Sequence, residues 1–177
     1  MLGKTTNPLL QKTEAATASK VPEKFRNTFD RVVAAGLRVM YSEQTHDMTL
    51  SQMSEQNEPA VNVGEGVAKL MAILFREGKG TIPMQAFIPA SVVLLCEGLD
   101  FAERSKYLHV DANTLAAATK ELMNSLMQIL GITPEKIQSA KAQAGQASQQ
   151  PYKTLMAKQT PQQPAGPKGL IGAQMGA

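Results

Sequence analysis

The sequence predicts an all-α protein, with a compact helical body built around an apolar helical hairpin and extended N- and C-terminal arms. Three observations predict it. Apolar residues recur at helical spacing in the stretches 25–41, 63–75 and 115–130. Aromatics make up 5% of the 177 residues and Trp is absent, while Met occurs 10 times, so the core is aliphatic and Met-filled, as in helical bodies. Residues 61–101 hold two apolar limbs on either side of a charged, Gly-rich tip, Arg76-Glu77-Gly78-Lys79-Gly80.

Taken in order, residues 1–20 are rich in Thr, Ala and Lys and predict an extended arm, with Leu9 and Leu10 as a docking spot. Pro22 suits a first helical position, where its missing N–H has no partner to lose. Phe25, Phe29, Val32, Val33, Leu37, Met40 and Tyr41 then form one stripe of a helix expected over 22–44. Gly36 either weakens that helix by roughly 1 kcal/mol or permits a close crossing. Residues 45–59 are polar and read as a loop or short amphipathic turn, ended by Pro59.

The first limb, 60–76, carries Val63, Val67, Leu70, Met71, Leu74 and Phe75. Gly64 and Gly66 suggest a late helical start. The glycines of the tip tolerate positive φ and allow reversal. In the second limb Pro83 and Pro89 disfavour one continuous helix. A turn or short helix over 83–87 and then a helix over 89–97 are expected. Residues 90–96 are apolar nearly all round, which places that helix at the centre of the body. Residues 98–110 read as a connector with a short helical turn at 101–107. Asp111 then caps a helix over 112–130, with Leu115, Ala118, Leu122, Met123, Leu126, Ile129 and Leu130 on one face and Gly131 as its stop.

Thr133-Pro134-Glu135 signals one more helix start, but 132–150 has no large apolar residue after Ile137 and makes a marginal helix. Residues 151–177 are a Pro/Gln/Gly-rich arm. Its small apolar groups, Tyr152, Leu155, Met156, Leu170, Ile171 and Met175, suit anchors on a neighbouring subunit. The domain plan is thus 1–20 arm, 21–131 body, 132–150 marginal helix and 151–177 arm.

Charge is segregated along this plan. Residues 1–20 carry three Lys and one Glu, 21–131 ten basic and thirteen acidic residues, and 132–177 five Lys and one Glu. The net charges are +2, −3 and +4, which sum to the formal +3 of the chain. An acidic body argues against a dedicated nucleic-acid-binding domain, although the basic arms suit non-specific, salt-dependent phosphate contact. One cysteine, Cys96, forms no internal disulfide. Residues 1–20 lack the apolar core of a signal peptide. These features point to synthesis in the cytoplasm.

Catalytic signatures are absent, and a non-enzymatic role without a cofactor is expected. Val63-Gly64-Glu65-Gly66-Val67-Ala68-Lys69 lacks both the spacing and the strand context of a phosphate loop. His46-Asp47 and His109 with Asp111 fall short of the three or four ligands of a transition-metal site. Glu97, Asp100 and Glu103 read as a solvated helix end. The hairpin is the sharper alternative: Leu70, Leu74, Phe75, Phe87, Val92, Val93, Leu94 and Leu95 would form a membrane-active surface. Residues 82–96, at about 1.5 Å each, fall short of a ~30 Å hydrocarbon core, which favours a buried hairpin.

The Ala/Met-rich body, the hairpin VAKLMAILF…VVLLCEGLDF and the tail AKAQAGQASQQ…GAQMGA together resemble a small virion structural protein of a short-tailed bacteriophage, of internal, ejection or neck type. The resemblance implies many copies in a ring or shell, arms lacing subunits together, partners among copies of the chain and other structural proteins, and location in the virion. The alternatives are an ejected or membrane-active channel component and a small helical adaptor with a Met-lined groove.

Overall fold

A computed structural model describes residues 5–42 and 58–131. The chain divides into two units, Met1–Thr133 and Pro134–Ala177, and every described residue lies in the first. The described residues form five α-helices and no strand: α1 Pro8–Ser19, α2 Glu23–Met40, α3 Pro59–Glu77, α4 Met84–Arg104 and α5 Ala112–Ile129. The protein is all-α, with a compact body around a buried apolar helix. The expected loop at 45–59, the marginal helix 132–150 and the arm 151–177 lie outside the described residues, apart from the start of α3.

The buried helix is α4, and it packs against each of the other four. Thirteen of its 21 residues are buried, including Phe87, Leu94, Leu95 and Leu99. Each such side chain stabilises the fold by roughly 2 kcal/mol relative to exposure. Pro83 caps α4, and Pro89 lies inside it. The expected break at Pro89 is therefore corrected. A proline in the sixth position removes one N–H to Gln85, and the burial on both sides outweighs that loss. The helix also runs through 98–104, where a connector was expected, because Leu99 and Ala102 are buried in the same core.

Residues 8–19 are a second correction. Within the expected extended arm they form a helix with its own cap: the Asn7 side chain accepts from the Leu9 N–H, and Pro8 follows in the first turn. α1 buries Leu10, Glu14 and Ala18 at i, i+4 and i+8, on the side facing α4.

Two glycines set the helix crossings. A Cβ on Gly36 would sit 2.3 Å from Leu94 Cδ1, so α2 approaches α4 through that gap. A Cβ on Gly64 would lie 2.6 Å from the Ala118 carbonyl oxygen. Gly64 is thus a contact point between α3 and α5, not a late start, and α3 begins at Pro59. The α3–α4 reversal closes by a Gly80 N–H to Phe75 carbonyl bond of 2.9 Å, with Lys79 and Gly80 both at positive φ. Phe75 meets Phe87 edge-on at 5.4 Å and ties the two limbs together beside this turn. α5 starts where Asp111 accepts from the Thr114 N–H at 2.8 Å and ends before Gly131 at positive φ.

Candidate functional site

The polar groups of the body converge where α1 lies on the second half of α4. Glu97 and Asp100, expected at a solvated helix end, are 2% and 0% exposed, and Glu14 of α1 is 5% exposed. The expectation fails because α1 covers this part of α4.

Asp100 is the receiver of the N-terminal segment. Its Oδ1 accepts from the Thr6 N–H at 2.6 Å, the Thr6 hydroxyl at 2.8 Å and the Asn7 N–H at 3.2 Å. Arg104 Nε lies 2.9 Å from Oδ2, close enough for an ion pair but not aligned as a hydrogen bond. Burial pushes the Asp100 carboxyl up, and the donors of Thr6 and Asn7 with the Arg104 charge outweigh it, holding the group below the ordinary aspartate range. One turn on, Glu103 accepts from the Asn7 amide at 2.8 Å and from the Val110 N–H at 2.9 Å, and His109 stands 3.1 Å away. Those donors, Asn7 first, hold Glu103 low as well. Asp100 and Glu103 thereby anchor the cap of α1 to α4 and to the α4–α5 connection.

Glu14 and Glu97 have the opposite environment. Glu14 Oε2 accepts one bond from the Thr5 hydroxyl at 3.2 Å, and Glu97 Oε2 accepts one from the Tyr41 hydroxyl at 3.2 Å. The second carboxyl oxygen of each is buried without a hydrogen-bond partner. Burial, then the Glu97 charge, pushes the Glu14 carboxyl up to about 7. Burial chiefly raises Glu97 too, against the opposing Tyr41 bond. The same surroundings push Tyr41 up to about 12, and burial pushes the Cys96 thiol up to about 12. A thiol held protonated in this way is packing, not a nucleophile.

The arrangement holds an N-terminal helix by one set of carboxylates and strains it with another. Among the described residues, no group of His, Cys, Asp and Glu is placed to hold a metal ion. His109 is exposed and Asp111 is spent on the α5 cap, while His46 and Asp47 lie outside the described residues.

The other expected contact residues separate. Leu10 is fully buried in the chain's own core, which removes it as an inter-subunit contact, and Leu9 is half-buried. Tyr152, Leu155, Met156, Leu170, Ile171 and Met175 lie outside the described residues. Of the hairpin set, Leu70, Leu74, Phe87, Val93, Leu94 and Leu95 are buried, and Phe75 and Val92 are half-buried. Two features escaped the sequence reading. One is an open groove of about 480 Å³ between α2 and the α3–α4 turn, floored by Val32, Ala35, Leu74 and Ile82 and edged by Arg31 and Glu77. The other is Glu14, whose i, i+4, i+8 placement between Leu10 and Ala18 was the available signal. Comparison with protein-family models, with curated proteins and with solved structures finds no match to this chain.

Proposed function

We propose that the protein is a non-enzymatic structural subunit that self-associates in a larger assembly, with a bacteriophage virion as the setting that its composition resembles. The observation that carries this reading is the groove between α2 and the α3–α4 turn. Apolar Val32, Ala35, Leu74 and Ile82 line it together with polar Thr28, Thr81, Arg31 and Glu77, a mixed, open surface that suits a segment of another polypeptide. Outward apolar side chains support it: Ile73 on α3 is 42% exposed and Ile129 on α5 is 46% exposed. The charge plan adds a smaller support, since residues 1–131, with α1 included, sum to −1 and residues 132–177 of another copy to +4. Light scattering on the full chain tests the reading. A defined multiple of 19.0 kDa is expected, falling in size in high salt or on Ile73→Asp. A monomer at tens of micromolar overturns it.

A second reading is favoured by α4, whose 21 residues are long and apolar enough to cross a membrane. In that reading the hairpin opens during genome delivery. Thirteen of those residues are buried in the body, so opening would have to expose them. Flotation with liposomes tests this, and a full chain that stays in the aqueous fraction at both pH 5 and pH 8 removes the reading.

A further inference from the structure

α1 rests on α4 through a face with an acid at its centre. Its buried side chains are Leu10, Glu14 and Ala18. On α4, against which α1 packs, Cys96, Glu97 and Asp100 are all buried and near enough to interact electrostatically with Glu14. Thr5, ahead of α1, and Tyr41, at the end of α2, each contribute one hydroxyl, to Glu14 and to Glu97 respectively. Arg104, whose charge opposes the rise of Glu97, is paired with Asp100. Lys12 of α1 and Lys20, just after it, are exposed. Among the described residues no Lys, Arg or His forms an ion pair with Glu14 or Glu97. Two buried carboxyls that repel one another and have no ion-pair partner favour their protonated forms, with the Arg104 charge only partly opposing this at Glu97. α1 has little with which to resist their ionisation. Its buried apolar contribution is one Leu and one Ala, its polar anchors are Thr6 and Asn7 at one end, and buried Val21 holds the chain just beyond the other end.

We propose that α1 is a proton-held strap, which lies on α4 while Glu14 and Glu97 carry their protons and lifts from α4 as they ionise. Lifting is confined to residues 12–19, between the Thr6 and Asn7 bonds to Asp100 and Glu103 on one side and buried Val21 on the other. It uncovers the half of α4 that holds Glu97. The titration of Glu14 toward about 7 places the change between mildly acidic and neutral pH. The device stands independently of the assembly reading, because it acts within one chain.

Amide hydrogen exchange on the full chain at pH 5 and pH 8, corrected for intrinsic exchange rate, tests it. The protection of residues 12–19 is expected to fall at least tenfold more than that of α5. Each pH unit between the free and docked acidities changes the docking constant tenfold. Glu14→Gln keeps the shape of the protonated acid and removes the charge, and it is expected to hold the pH 8 protection of α1 within about twofold of its pH 5 value. Glu97→Gln, which neutralises the opposite wall, retains protection in the same direction. The proposal is overturned if α1 and α5 change alike with pH in the wild-type chain. It is equally overturned if both glutamine variants lose α1 protection as the wild type does.

Discussion

Two glycines two residues apart in α3 have opposite uses. Gly64 stands against the α5 backbone, where a Cβ would come 2.6 Å from the Ala118 carbonyl oxygen. That oxygen is fixed by its own helix and cannot retreat as a side chain can. Gly66 has nothing within 4 Å of the corresponding position. Gly66→Ala therefore gains helix propensity and stabilises by roughly 0.5–1 kcal/mol. Gly64→Ala gains the same propensity but forces α3 from α5, with a net loss of about 1–3 kcal/mol from overpacking. Urea denaturation of the two variants checks the pair, and equal midpoints would refute the crossing. Gly36 is the milder case, because the atom it meets is the tip of Leu94, although that side chain is itself fully buried. The sequence contains all three glycines, yet spacing alone does not separate a contact glycine from a free one. The separation lies in where α5 passes, which involves residues more than fifty positions away.

At the scale of elements, the helices readable from the sequence are those with a local cause. α2 has an apolar stripe, α5 has the Asp111 cap and the Gly131 stop, and the run 90–96 is apolar enough to be central wherever it lies. α4 was harder because its continuity depends on burial by neighbours, which overrides the local cost of Pro89. α1 was missed for two reasons. Its stripe is Leu10, Glu14, Ala18, and an acid at the middle of a buried face defeats a hydrophobic period. Its start signal, Asn7 followed by Pro8, follows the same rule that marks Thr133-Pro134, and it was legible. Glu97 and Asp100 were misread because an Asp three residues after a Glu at the end of an apolar run usually meets water. Here the donors of Thr6 and Asn7 arrive from 94 and 93 positions away. Asn7 consequently serves both as cap and as tether, with its side chain accepting from Leu9 and donating to Glu103 and the Val110 carbonyl. Asn7→Ala is expected to cost about 1–2 kcal/mol, a typical capping loss. The loss falls on α1: exchange of residues 9–19 quickens while α5 keeps its protection. An equal loss across both helices would show that the tether is not local.

For the whole molecule, the two sets of carboxylates bend the stability profile in opposite directions. Asp100 and Glu103 are held below their ordinary values of 3.8 and 4.5. Their contribution is present above those values and is lost as pH falls through the folded-state acidities. Glu14 is raised from 4.5 to about 7. Its contribution is complete below pH 4.5, declines as pH rises, and is gone above about 7, since the folded chain binds the proton more tightly across that window. The span limits the loss to about 3 kcal/mol for a chain that stays docked. If α1 lifts, further ionisation costs nothing more and the decline levels off early. The melting temperature should therefore climb from pH 3 to between 4 and 5, then fall by several degrees toward pH 7 and stay level beyond. Glu14→Gln flattens the upper limb, so that variant and wild type melt together near pH 4.5 and the variant melts higher at pH 8. Circular dichroism melts of both chains from pH 3 to pH 8.5 check this. A wild-type melting temperature still rising between pH 5 and pH 8 would show that Glu14 is ionised at little cost, and the acid at the centre of the α1–α4 contact would then need a cation beside it.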